Sequence, residues 1–161
     1  MIELRVCIDV DDLDRGIRFY REALGLELGR RLGPGWAELL GATSPIDLLC
    51  EPSGSRPSSA APATRDYARH WTPIHIDVMV DDLERAVDRA RAAGATVERD
   101  IQSRPYGRIA LLADPFGHGL CLIEMRGRGY DELIEPSSGS RPEDGATGPD
   151  PGPPGPAGDR R

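Results

Sequence analysis

Apolar and polar residues alternate from Leu4 to Val10, with Leu4, Val6, Ile8 and Val10 on one face and Arg5, Cys7 and Asp9 on the other. That two-residue period predicts a half-buried strand. At Asp11 the period lengthens. Leu13, Ile17, Tyr20 and Leu24 follow at helical spacing, with Asp11 as N-cap, Asp14 three residues on and Gly25 as the closing residue. Three short strands fit residues 26–31, 36–40 and 46–51, separated by turns rich in Gly and Pro. The same order then returns. A strand over 71–80 sets Ile74, Ile76, Val78 and Val80 against His75, Asp77 and Met79, and a helix starts at Asp81 and Glu84 and carries Leu83, Val87 and Ala90 to Gly94. Strands near 96–100, 108–113 and 119–125 complete the copy, the last two joined by the turn Asp114-Pro115-Phe116-Gly117, and a short helical piece fits 130–134.

The repetition is one of residues as well as of pattern. At an offset of 70, Val10, Asp11, Asp12, Leu13 and Arg15 recur as Val80, Asp81, Asp82, Leu83 and Arg85. One unit is written twice, so a site is expected where the copies meet. This gives a single domain over 1–134, with module one at 2–51, a Ser/Pro/Ala-rich linker at 52–71, module two at 72–126 and a short extension at 127–134. Residues 135–161 are dominated by Pro, Gly, Ser and Asp and are expected to be a disordered tail, because they offer too little apolar area to offset ordering entropy.

Composition narrows the function classes. The net charge of −7 argues against a nucleic-acid partner. Lysine is absent, which removes Schiff-base chemistry and a Walker-type phosphate loop. No apolar run approaches the roughly 20 residues that span a bilayer, so no membrane role is expected. The N-terminal residues lack the zones of a signal peptide, and three cysteines in apolar strands suit reduced thiols, so a cytoplasmic location is expected.

Two β-α-β-β-β units, each with Asp-Asp-Leu after its first strand and the second closing on Asp114-Pro115-Phe116-Gly117-His118-Gly119-Leu120-Cys121, resemble the vicinal oxygen chelate superfamily. This superfamily includes glyoxalase I, extradiol dioxygenases and bleomycin-resistance binding proteins. The resemblance covers about residues 2–126. It implies an α+β fold of two tandem βαβββ modules whose curved sheets surround a cavity, and by analogy a homodimer. It also implies that the positions used for metal in the metal-dependent members fall here on Arg5, Asp47, His75 and Cys121.

Only His75 is of the expected type, and arginine is no ligand because its guanidinium offers donors only. The expectation is therefore a metal-free cavity that binds a small molecule, with Arg5 and Asp47 as an ion pair where the metal would lie. Arg5, Trp36, Glu38, Asp47, His75, Arg108 and Cys121 are the candidate ligand contacts, with Tyr106 beside Arg108. Two enzymatic alternatives stand beside this reading. One is a lyase, isomerase or dioxygenase holding Zn, Ni or Fe on His75, Asp47 and Cys121. The other is metal-free acid–base chemistry by His75 oriented by Asp77. Glu124 and His118 are read as structural, and Cys7 and Cys50 as buried, inert thiols.

Overall fold

The computed structural model describes residues 2–70 and 72–134. The anticipated tail at 135–161 lies outside the described residues. Within them, β1 (Val6–Val10), α1 (Leu13–Leu24), β2 (Glu27–Leu32), β3 (Trp36–Leu40) and β4 (Ile46–Cys50) form the first module. The second comprises β5 (Ile76–Met79), α2 (Leu83–Ala92), β6 (Thr96–Arg104), β7 (Gly107–Ala113) and β8 (Gly119–Met125), and a 3-10 turn at Gly129–Leu133 follows. Each module is a four-stranded mixed sheet, in the orders β1-β4-β3-β2 and β5-β8-β7-β6, with its first and last strands parallel. The two tandem βαβββ modules of an α+β fold are therefore present.

Both helices begin one residue later than the pattern suggests. Asp12 and Asp82 are the N-caps, each with extended backbone and each accepting the backbone N–H of the residue three on, Arg15 or Arg85, at 2.9 and 3.0 Å. Asp11 and Asp81 precede the caps and stay exposed. Gly25 closes α1 in the left-handed conformation, as its position predicts.

The opening strands are shorter than their alternation implies. β1 begins at Val6, where its ladder with Ile46 of β4 begins, and β5 begins at Ile76, opposite Leu120. Leu4 and Ile74 lie before those ladders and are 70% and 83% exposed, whereas Ile8 and Val10 are buried. β6 runs further than expected because a tight turn returns the chain at Gly107, pairing Arg104 with that residue.

The modules pack into one body through their helices, with Leu13, Ile17, Phe19 and Ala23 of α1 and Leu83, Ala86, Val87 and Ala90 of α2 buried in one core. Polar ties cross the same boundary. The Tyr20 hydroxyl donates to Asp114 Oδ2 at 2.5 Å, and Arg89 Nε donates to the carbonyl of Ala23 near the end of α1 at 2.8 Å. Phe116 is fully buried at this boundary, with the Arg15 guanidinium 5.0 Å from its ring centre and Tyr67 packed edge-on at 6.5 Å. The linker is tied to module one: Arg65 Nε donates to Asp9 Oδ2 at 2.6 Å and the Tyr67 hydroxyl donates to the Glu51 carbonyl at 2.8 Å.

Candidate functional site

Glu38 on β3 and Asp47 on β4 stand directly opposite each other in the antiparallel ladder. Two like charges in that register need a cation between them. Arg5 supplies it. Its Nε and Nη2 donate to Asp47 at 2.9 and 2.6 Å, a bidentate pair, and Nη2 also donates to Glu38 Oε1 at 2.7 Å. Arg30 on β2 holds the same Glu38 from the other side, at 2.9 and 2.5 Å, and its guanidinium lies 5.9 Å from the Trp36 ring. Arg30 and Arg5 together hold the Glu38 carboxyl down at about 2. The first module's half is thus a cluster of two arginines and the carboxylates Glu38 and Asp47, with Glu3 at its edge 3.9 Å from Arg5.

The second module's half is different. His75 precedes β5 and Asp77 lies two residues on, so the alternation of a strand puts both on one face; His75 Nε2 is 3.1 Å from Asp77 Oδ1. Cys121 pairs in register with Asp77 across β5 and β8, and the ligand-type atoms of His75, Asp77 and Cys121 lie within 4.8 Å of one another. Burial, with the charge of Asp77 and a hydrogen bond to it, pushes the Cys121 thiol up to about 11. At the matching place in module one, Cys7 on the first strand faces Asp47 on the fourth. The thiol and carboxylate have exchanged strands between the two copies.

These positions correct two expectations. The metal-binding alternative of His75, Asp47 and Cys121 does not assemble, because Asp47 is engaged by Arg5 in the first sheet, and Asp77 completes the trio instead. Arg108, nominated as a ligand contact, has its guanidinium taken up by carboxylates of its own module. It lies opposite Glu124 in the β7–β8 ladder and is held by Glu84 and Glu124. Glu124 also accepts the backbone N–H of Leu83 at 3.1 Å, so this group braces the start of α2. Cys7, expected to be buried, is exposed, and Cys50 is half-buried; all three thiols are free.

The seam between β1 and β5 is hollow. A cavity of about 340 Å³ lies there, with apolar walls that include Val6, Ile8, Ile76 and Leu120 and with Cys7, His70, Thr72, His75 and His118 among its polar positions. Of the ligand contacts nominated from sequence, only His75 lines it. A second cavity of about 460 Å³ continues along the seam past Asp77 and Met79 toward Arg89. Sequence reasoning missed Arg30 and the pairing of His70 with His118. His70 and His118 are 48 residues apart on irregular segments, so no period connects them.

Residues 5–123 match the family described as a glyoxalase-like domain. The chain belongs to that family. This glyoxalase-like domain is 31% identical over 121 residues to the anthracycline biosynthesis protein DauV of Streptomyces sp. strain C5, a match covering 72% of this chain but 38% of DauV, so the chain spans about two-fifths of that relative. Among solved structures, it shares its fold with the fosfomycin resistance protein FosX of Listeria monocytogenes at a TM-score of 0.62 and 17% identity, over 83% of this chain and all of that one. TnmS3, an antibiotic binding protein from Streptomyces sp. CB03234, matches at a TM-score of 0.55 and 20% identity, over 78% of this chain and 97% of that one.

The four positions that hold metal in metal-dependent members do not fit an ion in this glyoxalase-like domain. Arg5 is a permanent cation with its donors turned onto Asp47 and Glu38, so it repels an ion and removes a carboxylate from reach. The paired carboxyls also set an acid limit. Glu38 and Glu124 each sit at about 2, against an ordinary value of 4.5. A carboxyl lowered in the folded state contributes stability that is complete above 4.5 and is lost as pH falls toward about 2. The melting temperature should therefore hold steady down to about pH 5 and then drop, and the double variant Glu38→Gln, Glu124→Gln should flatten that drop in a calorimetric series.

Proposed function

We propose that this glyoxalase-like domain binds a small organic molecule in the hollow seam between its modules and does so without a divalent ion. The observation that carries this reading is the bidentate Arg5–Asp47 pair, which puts a fixed positive charge on two of the four positions that hold metal in metal-dependent members. The seam supplies apolar walls for the body of a ligand and a few polar positions to orient it, which is the usual composition of a small-molecule site. The names of DauV and TnmS3 point to antibiotic-type ligands, and a polycyclic anthracycline is the first probe to use. Exposed Leu4 and Ile74, equivalent in the two copies, support a homodimer, and the free thiols suit a cytoplasmic setting.

Chelator-treated protein should quench anthracycline fluorescence with about micromolar affinity, near −8 kcal/mol. Ile76→Trp, which fills the cavity wall, should weaken that binding at least tenfold. Binding that appears only on restoring zinc, nickel or iron would overturn the reading.

The closely set trio of His75, Asp77 and Cys121 favours a second reading, in which His75 and Asp77 move a proton or, with Cys121, take a zinc ion on module two alone. Metal analysis of protein purified without chelator, compared with the His75→Ala variant, separates this from metal-free binding.

A further inference from the structure

We propose that His70 and His118 share a single extra proton, and that the protonated pair is a latch fastening the end of the linker over the seam cavity. The argument starts from what each ring nitrogen faces. His70 Nδ1 lies 2.9 Å from the carbonyl oxygen of Ala68, and His118 Nε2 lies 2.8 Å from that of Asp9. A carbonyl oxygen only accepts, so both of these nitrogens carry hydrogen. A neutral imidazole has one N–H. The two nitrogens that remain, His70 Nε2 and His118 Nδ1, then face each other at 3.2 Å as bare lone pairs if both rings are neutral. One added proton converts that repulsion into a charge-assisted N–H···N hydrogen bond.

The surroundings accept this charge. Asp114 receives the backbone N–H groups of Phe116 and His118 and the hydroxyl of Tyr20, and none of these donors is a cation. Its carboxylate accepts the His118 backbone N–H at 2.8 Å and also interacts with the Arg69 charge. Asp9 is already paired with Arg65. Arg69 is paired with Glu98 and also donates to the Gly117 carbonyl, and Arg15 donates to the Pro115 carbonyl. Tyr67 stands edge-on to His118 with ring centres 6.4 Å apart, and Cys7 lines the same cavity.

Position gives the pair its consequence. His118 holds the end of β1 through Asp9 and the end of the linker through His70, and both rings line the 340 Å³ cavity. With the proton in place the three segments are joined at the cavity wall. Without it the facing lone pairs push the linker's end away at His70, leaving it the backbone bond from His70 to Gly117 at 3.3 Å, the Arg69 contact and, further back, the Arg65–Asp9 and Tyr67–Glu51 ties. Ligand release then quickens as the proton is lost.

Two measurements test this, and only the second rests on the binding reading above. Nitrogen-15 spectra of histidine-labelled protein at about pH 6, where an ordinary imidazole is near its charge change, should show three N–H protons on the His70–His118 pair. Two neutral rings there would overturn the latch. The release rate of N-phenyl-1-naphthylamine, an uncharged probe for apolar cavities, should rise about tenfold from about pH 5 to about pH 8. In His70→Gln, whose amide can donate to His118 Nδ1 without ionising, the rise should vanish; persistence of the rise would also overturn the latch. A probe that fails to bind would count against the seam as a ligand site and leave the spectra to decide the latch.

Discussion

Replacing Phe116 with alanine should lower the unfolding free energy by about 3–5 kcal/mol, the range for deleting a fully buried aromatic ring. The ring is wholly buried and fills the boundary between the modules, with Arg15 of α1 over its face and Tyr67 of the linker at its edge. Its removal therefore empties space that three separate segments share, and none of them can close it alone. Urea unfolding followed by circular dichroism measures the loss. A cost near 1 kcal/mol, typical of an exposed position, would mean that the modules are not joined through this residue. Phe116→Leu, which keeps much of the volume, should cost clearly less than the alanine variant.

Gly117→Ala should be comparably harmful for the opposite reason, because here the structure has no room to add anything. The residue has a φ of +84°, and a Cβ built on it would stand 2.1 Å from the carbonyl oxygen of Ala68. That atom is backbone, so the linker itself must move. The left-handed conformation costs an L-residue about 1–2 kcal/mol and overpacking about 1–3 kcal/mol more. Gly54 provides the comparison. Its φ is +81° and nothing lies within 4 Å of its added Cβ, so Gly54→Ala should show the conformational cost without the clash. Denaturation midpoints of the two variants, measured side by side, give the clash by difference; equal midpoints would show that the linker does not lie against this turn.

The sequence carried the fold because its information is local and written twice. The 70-residue offset locates both modules, and the alternation of His75 with Asp77 places them on one face. The site was legible only where a strand's own period decided it. That Asp77 joins Cys121, while Asp47 is drawn off by Arg5, depends on which strands are neighbours and in what register, and one strand's pattern is silent on both. Arg30 reaches Glu38 across an antiparallel pair of strands that contains a register shift, so counting residues does not bring them together. The Glu84 and Glu124 partners of Arg108 are not legible in the sequence, because position near a strand end fixes neither the face nor the partners. Helix starts moved by one residue because Asp-Asp offers two caps, and backbone conformation chooses the second.

The exchanged places of thiol and carboxylate leave the duplicated halves chemically unlike despite their common ancestry of pattern. A guest lying in the seam meets Cys7 and Ile8 from the first copy but His75 and Ile76 from the second. Such a junction distinguishes the two ends of its guest, so a molecule without twofold symmetry of its own has one preferred way round.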